Sequence, residues 1–159
     1  MRDSTALTPG LWSKWWRLGR DERRALRHAL LLVPAMHVAV RVVGFNRLQR
    51  WVATTPATGR PLSTTDALRV SVLGINRVKR FSLLTGNCLS QSLALERMLR
   101  RRGVGPALQL GVRLTGPKFE AHAWVEYDGR VLNGTQDVHT RFTPLAPTTS
   151  GKVEPTGLR

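Results

Sequence analysis

Two residues in this chain have the type and setting for covalent acyl chemistry: its one cysteine, Cys88, and the histidine His122. Cys88 opens the run CLSQSLALERMLRRRG, in which Leu89, Leu93, Leu95 and Leu99 recur at roughly helical spacing and Gly103 supplies a stop. The preceding pair Gly86-Asn87 is a turn signal, so the spacing predicts that Cys88 sits in the first turn of a helix. There a thiol faces unpaired backbone N–H groups and the positive end of the helix dipole, which favour thiolate over thiol. The same N–H groups, that of Cys88 first among them, suit the oxyanion of a tetrahedral intermediate. A cysteine with no further context is more often inert and buried, so the reading needs a base.

His122 supplies one. It lies in the strand-like stretch FEAHAWVEY, and the small side chains of Ala121 and Ala123 leave its ring room to meet another element. A helix-borne cysteine and a strand-borne histidine make a thiolate-imidazolium pair. His28 and His37 fall on N-terminal helices and His139 in the loop after the hairpin, where structural or surface roles are expected. Strand alternation puts Glu120, Trp124 and Glu126 on the face of His122. Glu126 is about 13 Å away at strand rise, too far for a hydrogen bond. Trp124 either walls the site or packs in the core, and Gln91, one turn into the helix, either reaches the oxyanion or is structural.

A third member has two candidates. Asp128-Gly129 signals a two-residue hairpin turn, which pairs Tyr127 with Arg130 and sets Thr135 opposite His122. The same-face diagonal neighbours are then Asn133 and Asp137, either of which would orient the imidazole. Asp137 supplies a charge and is preferred, Asn133 is the alternative, and a two-residue site without an orienter stays open.

The elements that must hold these residues follow from the rest of the chain. At 159 residues and 42% hydrophobic, it has the size of one domain with one core. Residues 11–51 have a helical pattern rich in Trp and Arg, where Asp21 is expected to cap a helix and Pro34 to kink or divide it. The run VATTPATGRPLS at 52–63 marks a linker, and Ser63-Thr64-Thr65-Asp66 is a cap signal before another helix. After the Cys88 helix come ALQLGVRL, FEAHAWVEYD and GRVLNG, an antiparallel sheet. The expected organisation is an N-terminal helical region at 1–62, a catalytic core at 63–145 and a disordered tail at 146–159, beginning near Pro144. The fold class is α+β, a helix bearing Cys88 packed on an antiparallel sheet bearing His122.

Charge and composition exclude several alternatives. One cysteine allows no internal disulfide and fits a reducing cytoplasm. The N-terminus lacks a secretory pattern. The longest apolar stretch, ALLLVPAMHVAV, is about 12 residues long, short of the roughly 20 a spanning helix needs. No metal or cofactor is expected, because the ligand spacing, phosphate loop and dinucleotide fingerprint are all missing. The formal charge of +15 implies an acidic partner. The cluster of Trp12, Trp15 and Trp16 with Lys14, Arg17 and Arg20 suits a peripheral membrane contact, a partner, or cover for the core; a nucleic-acid role would be independent of Cys88.

The stretch NCLSQSLALERMLRRRGV, followed by LQLGVRL and FEAHAWVEYDGRVLNG, resembles the transglutaminase-like core of the lasso-peptide B2 proteins, the leader peptidases. The resemblance covers about residues 81–144. The family usually carries an Asp about a dozen residues after the His, a register occupied here by Asn133 and Gly134. The resemblance implies a cysteine peptidase that removes the leader from a lasso-peptide precursor, with Cys88 as nucleophile and His122 as base. Fused relatives carry a leader-binding domain for which this length leaves no room, so a separate leader-binding B1 protein is the expected partner, with the ring-closing cyclase as a further contact. The alternatives are a non-catalytic adaptor holding precursor or cyclase, and a transamidase working through the same thioester.

Overall fold

The computed structural model describes residues 19–60, 62–79, 87–115 and 117–145. The Trp12, Trp15 and Trp16 cluster and the tail at 146–159 lie outside the described residues.

Helix α1, Arg20–Val43, starts two residues earlier than an Asp21 cap implies. Gly19 is its N-cap, and the Glu22 carboxylate accepts the Gly19 N–H at 3.3 Å, leaving Asp21 inside the first turn. Pro34 does not divide the helix. The chain breaks instead at Gly44, whose φ of 84° lies in the left-handed region open to glycine, and resumes as α2, Phe45–Ala53. Helix α3, Thr64–Lys79, begins at the expected cap: the Asp66 N–H donates to Ser63 Oγ at 3.1 Å and that hydroxyl donates to Asp66 Oδ2 at 2.7 Å. Helix α4 is Cys88–Arg100.

The sheet has the order β3-β2-β1-β4 and every pairing in it is antiparallel. Strands β1, Ala107–Thr115, and β2, Lys118–Tyr127, pair along their length, with Gly111 opposite His122. Asp128 and Gly129 take φ values of 49° and 70°, a two-residue turn of the primed type, and Tyr127 pairs with Arg130 as the turn signal predicts. Strand β3 is only Arg130–Val131, however, so the ladder stops before Thr135 can stand opposite His122. A short helix α5, Val138–Arg141, leads into β4, Thr143–Pro144, which pairs with β1; the start of the supposed tail is therefore ordered.

The chain is α+β, with its helices packed beside this four-stranded sheet. Ala25, Leu26, Ala29, Val33 and Met36 form one face of α1 and meet α3, α4, Leu108 and Val125 in the main core. Gly74 of α3 permits that contact, since a Cβ there would lie 3.1 Å from the Ala25 carbonyl oxygen. Trp124, Val131, Val138 and Phe142 form a second cluster on the other face of the sheet. Helix α1 is longer than its apolar run suggests. Over 18 residues its mean hydropathy is 1.5, enough in length and composition to cross a membrane, while one face is packed into the core.

Candidate active site

Cys88 is the first residue of α4 and is half-buried. Asn87 caps the helix, its Oδ1 accepting the Ser90 N–H at 3.0 Å and the Ser90 hydroxyl at 2.8 Å. The first-turn N–H groups have no acceptor inside the helix, and that of Cys88 is among them. His37 of α1 reaches the same turn, its Nδ1 lying 3.3 Å from Ser90 Oγ while Nε2 contacts Arg41, so it acts here as a structural residue.

The next turn is tied to the histidine strand. Ser92 Oγ donates to the carbonyl of Ala123 at 3.0 Å. Asn133 completes the tie: its Nδ2 donates to Ser92 Oγ at 2.8 Å and its Oδ1 accepts the Val125 N–H at 2.7 Å. At the opposite end, Arg100 Nη2 donates to the carbonyl of Pro106 at 3.2 Å, just before Ala107, the residue paired with Glu126. Helix α4 therefore runs alongside β2 in the same direction, with its Cys88 end at the His122 end of the strand. Cys88 lies one turn, about 6 Å of rise, before Ser92, and His122 immediately precedes Ala123. No hydrogen bond joins the thiol to the imidazole among the described residues.

The His122 ring faces the second cluster, stacked at 5.1 Å from Phe142 and 6.2 Å from Trp124. Burial, and after it the charges of Lys79 and Arg141, hold its pKa below the usual histidine value, so at neutral pH the ring is a neutral base. Gly111 makes the space: a Cβ there would lie 2.8 Å from Trp124 Cη2 and 3.0 Å from Phe142 Cβ.

The two candidates for a third member stand apart from the ring. Asn133 is buried and its amide is occupied at both ends by Ser92 and Val125. Asp137 is exposed at the N-cap of α5, its pKa lowered first by a hydrogen bond from Thr135 and further by Arg141. Among the described residues neither hydrogen-bonds His122. Gln91 is buried beside Cys88 on α4.

Two contributions escaped sequence reasoning. Phe142 supplies a ring against His122, and only its position after the hairpin pointed there. His139 joins the sheet as a partner, its Nε2 lying 3.0 Å from Glu126 Oε1, the oxygen that also accepts the Trp124 indole N–H. Trp124 is fully buried, stacking on His122 on one side and meeting the edge of His139 at 5.7 Å. The spacing of Trp124 and Glu126 on one strand face was the available signal. Among the described residues no group of His, Cys, Asp and Glu is placed to hold a metal ion.

A helix that begins with cysteine, laid along an antiparallel strand that carries histidine, agrees with the family comparison. Residues 29–147 match the Transglutaminase-like superfamily, and the chain belongs to it. It is also similar to the microcin J25-processing protein McjB of Escherichia coli, 29% identical over 85 residues, which is 54% of this chain and 40% of that protein. The chain spans less than half the length of that relative. No solved structure matches.

Proposed function

We propose that the chain is a cysteine peptidase that removes the leader from a lasso-peptide precursor, working with a separate leader-binding protein and handing its product to the cyclase. The observation that supports this reading is the Ser92–Ala123 hydrogen bond, braced by Asn133, which ties the helix that begins with Cys88 to the strand that carries His122. The superfamily membership and the similarity to a microcin J25-processing protein support the substrate class. Residues 63–145 act as the catalytic core, with α1 and α2 packed against it, and the free thiol suits a reducing cytoplasm.

In the proposed reaction His122, neutral when unliganded, takes the proton of the Cys88 thiol. Sγ then bonds to the scissile carbonyl carbon, and the carbonyl electron pair moves onto oxygen, which faces the Cys88 N–H. Collapse breaks the C–N bond while the imidazolium returns its proton to the leaving amine. Water, deprotonated by His122, hydrolyses the thioester and frees the leader as a carboxylate. The His122 ring stacks on Phe142 on the sheet face opposite the core that holds α4, so closing the pair takes a rearrangement that brings the ring round to the Cys88 side. Asp137, preferred on charge, or Asn133 would orient the ring directly only after a comparable movement; in the described arrangement Asn133 acts by holding strand and helix together.

The missing third-member hydrogen bond among the described residues favours a second reading, an adaptor that holds the precursor without cutting it. Cleavage in heavy-oxygen water with an added primary amine separates the outcomes. Heavy oxygen in the new leader carboxylate is the expected result, the amine in its place identifies a transamidase, and an intact precursor in the presence of a bound partner overturns the enzyme reading.

A further inference from the structure

A cavity of about 440 Å³ lies at the end of α4 remote from Cys88, between α1, the loop before α3 and the end of α4. Arg24, Arg60, Arg97, Arg101 and Arg102 line it, against one acid, Asp21. Its floor is apolar, formed by Leu32, Leu62 and Met98. Two of the arginines are held in place: Arg97 stacks 3.5 Å over the Trp51 ring and donates to Thr55 Oγ1 at 3.1 Å, and Arg102 donates to the Met98 carbonyl at 2.9 Å. Burial and the neighbouring Arg101 lower the pKa of both, against the opposing charge of Asp21 at Arg102, and burial with Arg101, Arg102 and Arg27 lowers that of His28. The cavity thus crowds cations around an apolar floor, an arrangement that an anion relieves. Gly59 keeps the loop in place, its N–H donating to the Arg101 carbonyl at 2.6 Å, where a Cβ would collide with that oxygen.

We propose that this cavity is an exosite for the substrate peptide, taking a carboxylate side chain beside an apolar one. Building on the peptidase reading, it sets where on the precursor the enzyme grips. Thirteen residues of helix rise separate Cys88 from Arg101, about 20 Å. An extended peptide covers that in about six residues, so the gripped segment lies about six residues from the scissile bond. The apolar floor favours such a peptide over a nucleic-acid backbone, which offers charge without a buried side chain.

Fluorescence anisotropy tests the proposal with the full chain carrying Cys88→Ala, so that binding is read without turnover. The probe is a labelled peptide of about eight residues with a Glu-Leu-Glu centre. It is expected to bind about tenfold more tightly than its Gln-Leu-Gln counterpart. The Arg60→Glu/Arg101→Glu variant, altered at two exposed positions, is expected to lose about tenfold for the acidic peptide alone. Equal affinity for the two peptides, an unchanged affinity in the variant, or tighter binding of a single-stranded oligonucleotide at the same arginines would overturn the exosite. In turnover of the precursor by a chain retaining Cys88, the arginine variant should raise KM and leave kcat within about twofold; a fall in kcat at unchanged KM contradicts the proposal. Charge-dependent binding without any cleavage would sink the peptidase reading while supporting the binding site.

Discussion

Asn133→Ala should destabilise the protein sharply, because this one amide links the helix of Cys88 to the strand of His122. Asn133 is 4% exposed, and its two polar atoms serve the Val125 N–H and Ser92 Oγ. Alanine leaves the buried Val125 N–H without an acceptor, which costs about 1–3 kcal/mol, and removes a second hydrogen bond worth about 0.5–1.5 kcal/mol. Ser92 keeps its bond to the Ala123 carbonyl. The expected loss is about 2–4 kcal/mol, or a fall in Tm of about 5–15 °C for a chain of this size. Urea unfolding followed by circular dichroism measures it. Asn133→Asp retains the acceptor for Val125 but loses the donor to Ser92 and buries a charge, so it should lose about 1–3 kcal/mol. A change below about 0.5 kcal/mol for Asn133→Ala would refute the bracing role. A variant of full stability and reduced kcat, restored by Asp, would instead make Asn133 the orienter of His122.

Four further substitutions and a pH series probe the site and the fold. His122→Ala should lower kcat by about 10²–10⁴-fold, and in the unmutated protein the acid limb of kcat/KM should have its midpoint below 6.5, because burial, Lys79 and Arg141 disfavour the imidazolium; Arg141→Gln should move that limb upward. In stability the same shift has a defined sign: the unfolded histidine takes up a proton that the folded one refuses, so the contribution of His122 to stability falls as pH drops through 6.5, measurable by urea unfolding across that range. Gly111→Ala should cost about 1–3 kcal/mol by driving a methyl group into Trp124 and Phe142, and should lower activity by disturbing the His122 stack; thermal melts and turnover read the two effects. Ser63→Ala should cost about 1 kcal/mol through loss of the α3 cap, with kcat unchanged.

The parts of the fold readable in the sequence were those set by local chemistry. Asn87 and the leucine spacing placed Cys88 at the start of a helix, Ser63 and Asp66 marked the α3 cap, and Asp128-Gly129 fixed the turn that pairs Tyr127 with Arg130. What failed depended on tertiary context. Pro34 has too little local effect to end a helix that packs one face into the core, and the break fell at Gly44. The hairpin register could not be extended to Thr135, because β3 ends at Val131 and Asn133 turns inward to meet Ser92, forty-one positions earlier in the chain. The partnership of His139 with Glu126 and the Phe142 ring over His122 arise where a short helix folds back on the sheet, a return that no period in the sequence encodes.

The most direct test is mass spectrometry of a lasso-peptide precursor incubated with its leader-binding protein and this chain, with and without Cys88→Ala. Cleavage at one bond that disappears in the variant, while partner binding is retained, is the expected result. Equal cleavage by both proteins, or an intact precursor with the partner bound, would remove Cys88 from the chemistry and contradict the peptidase.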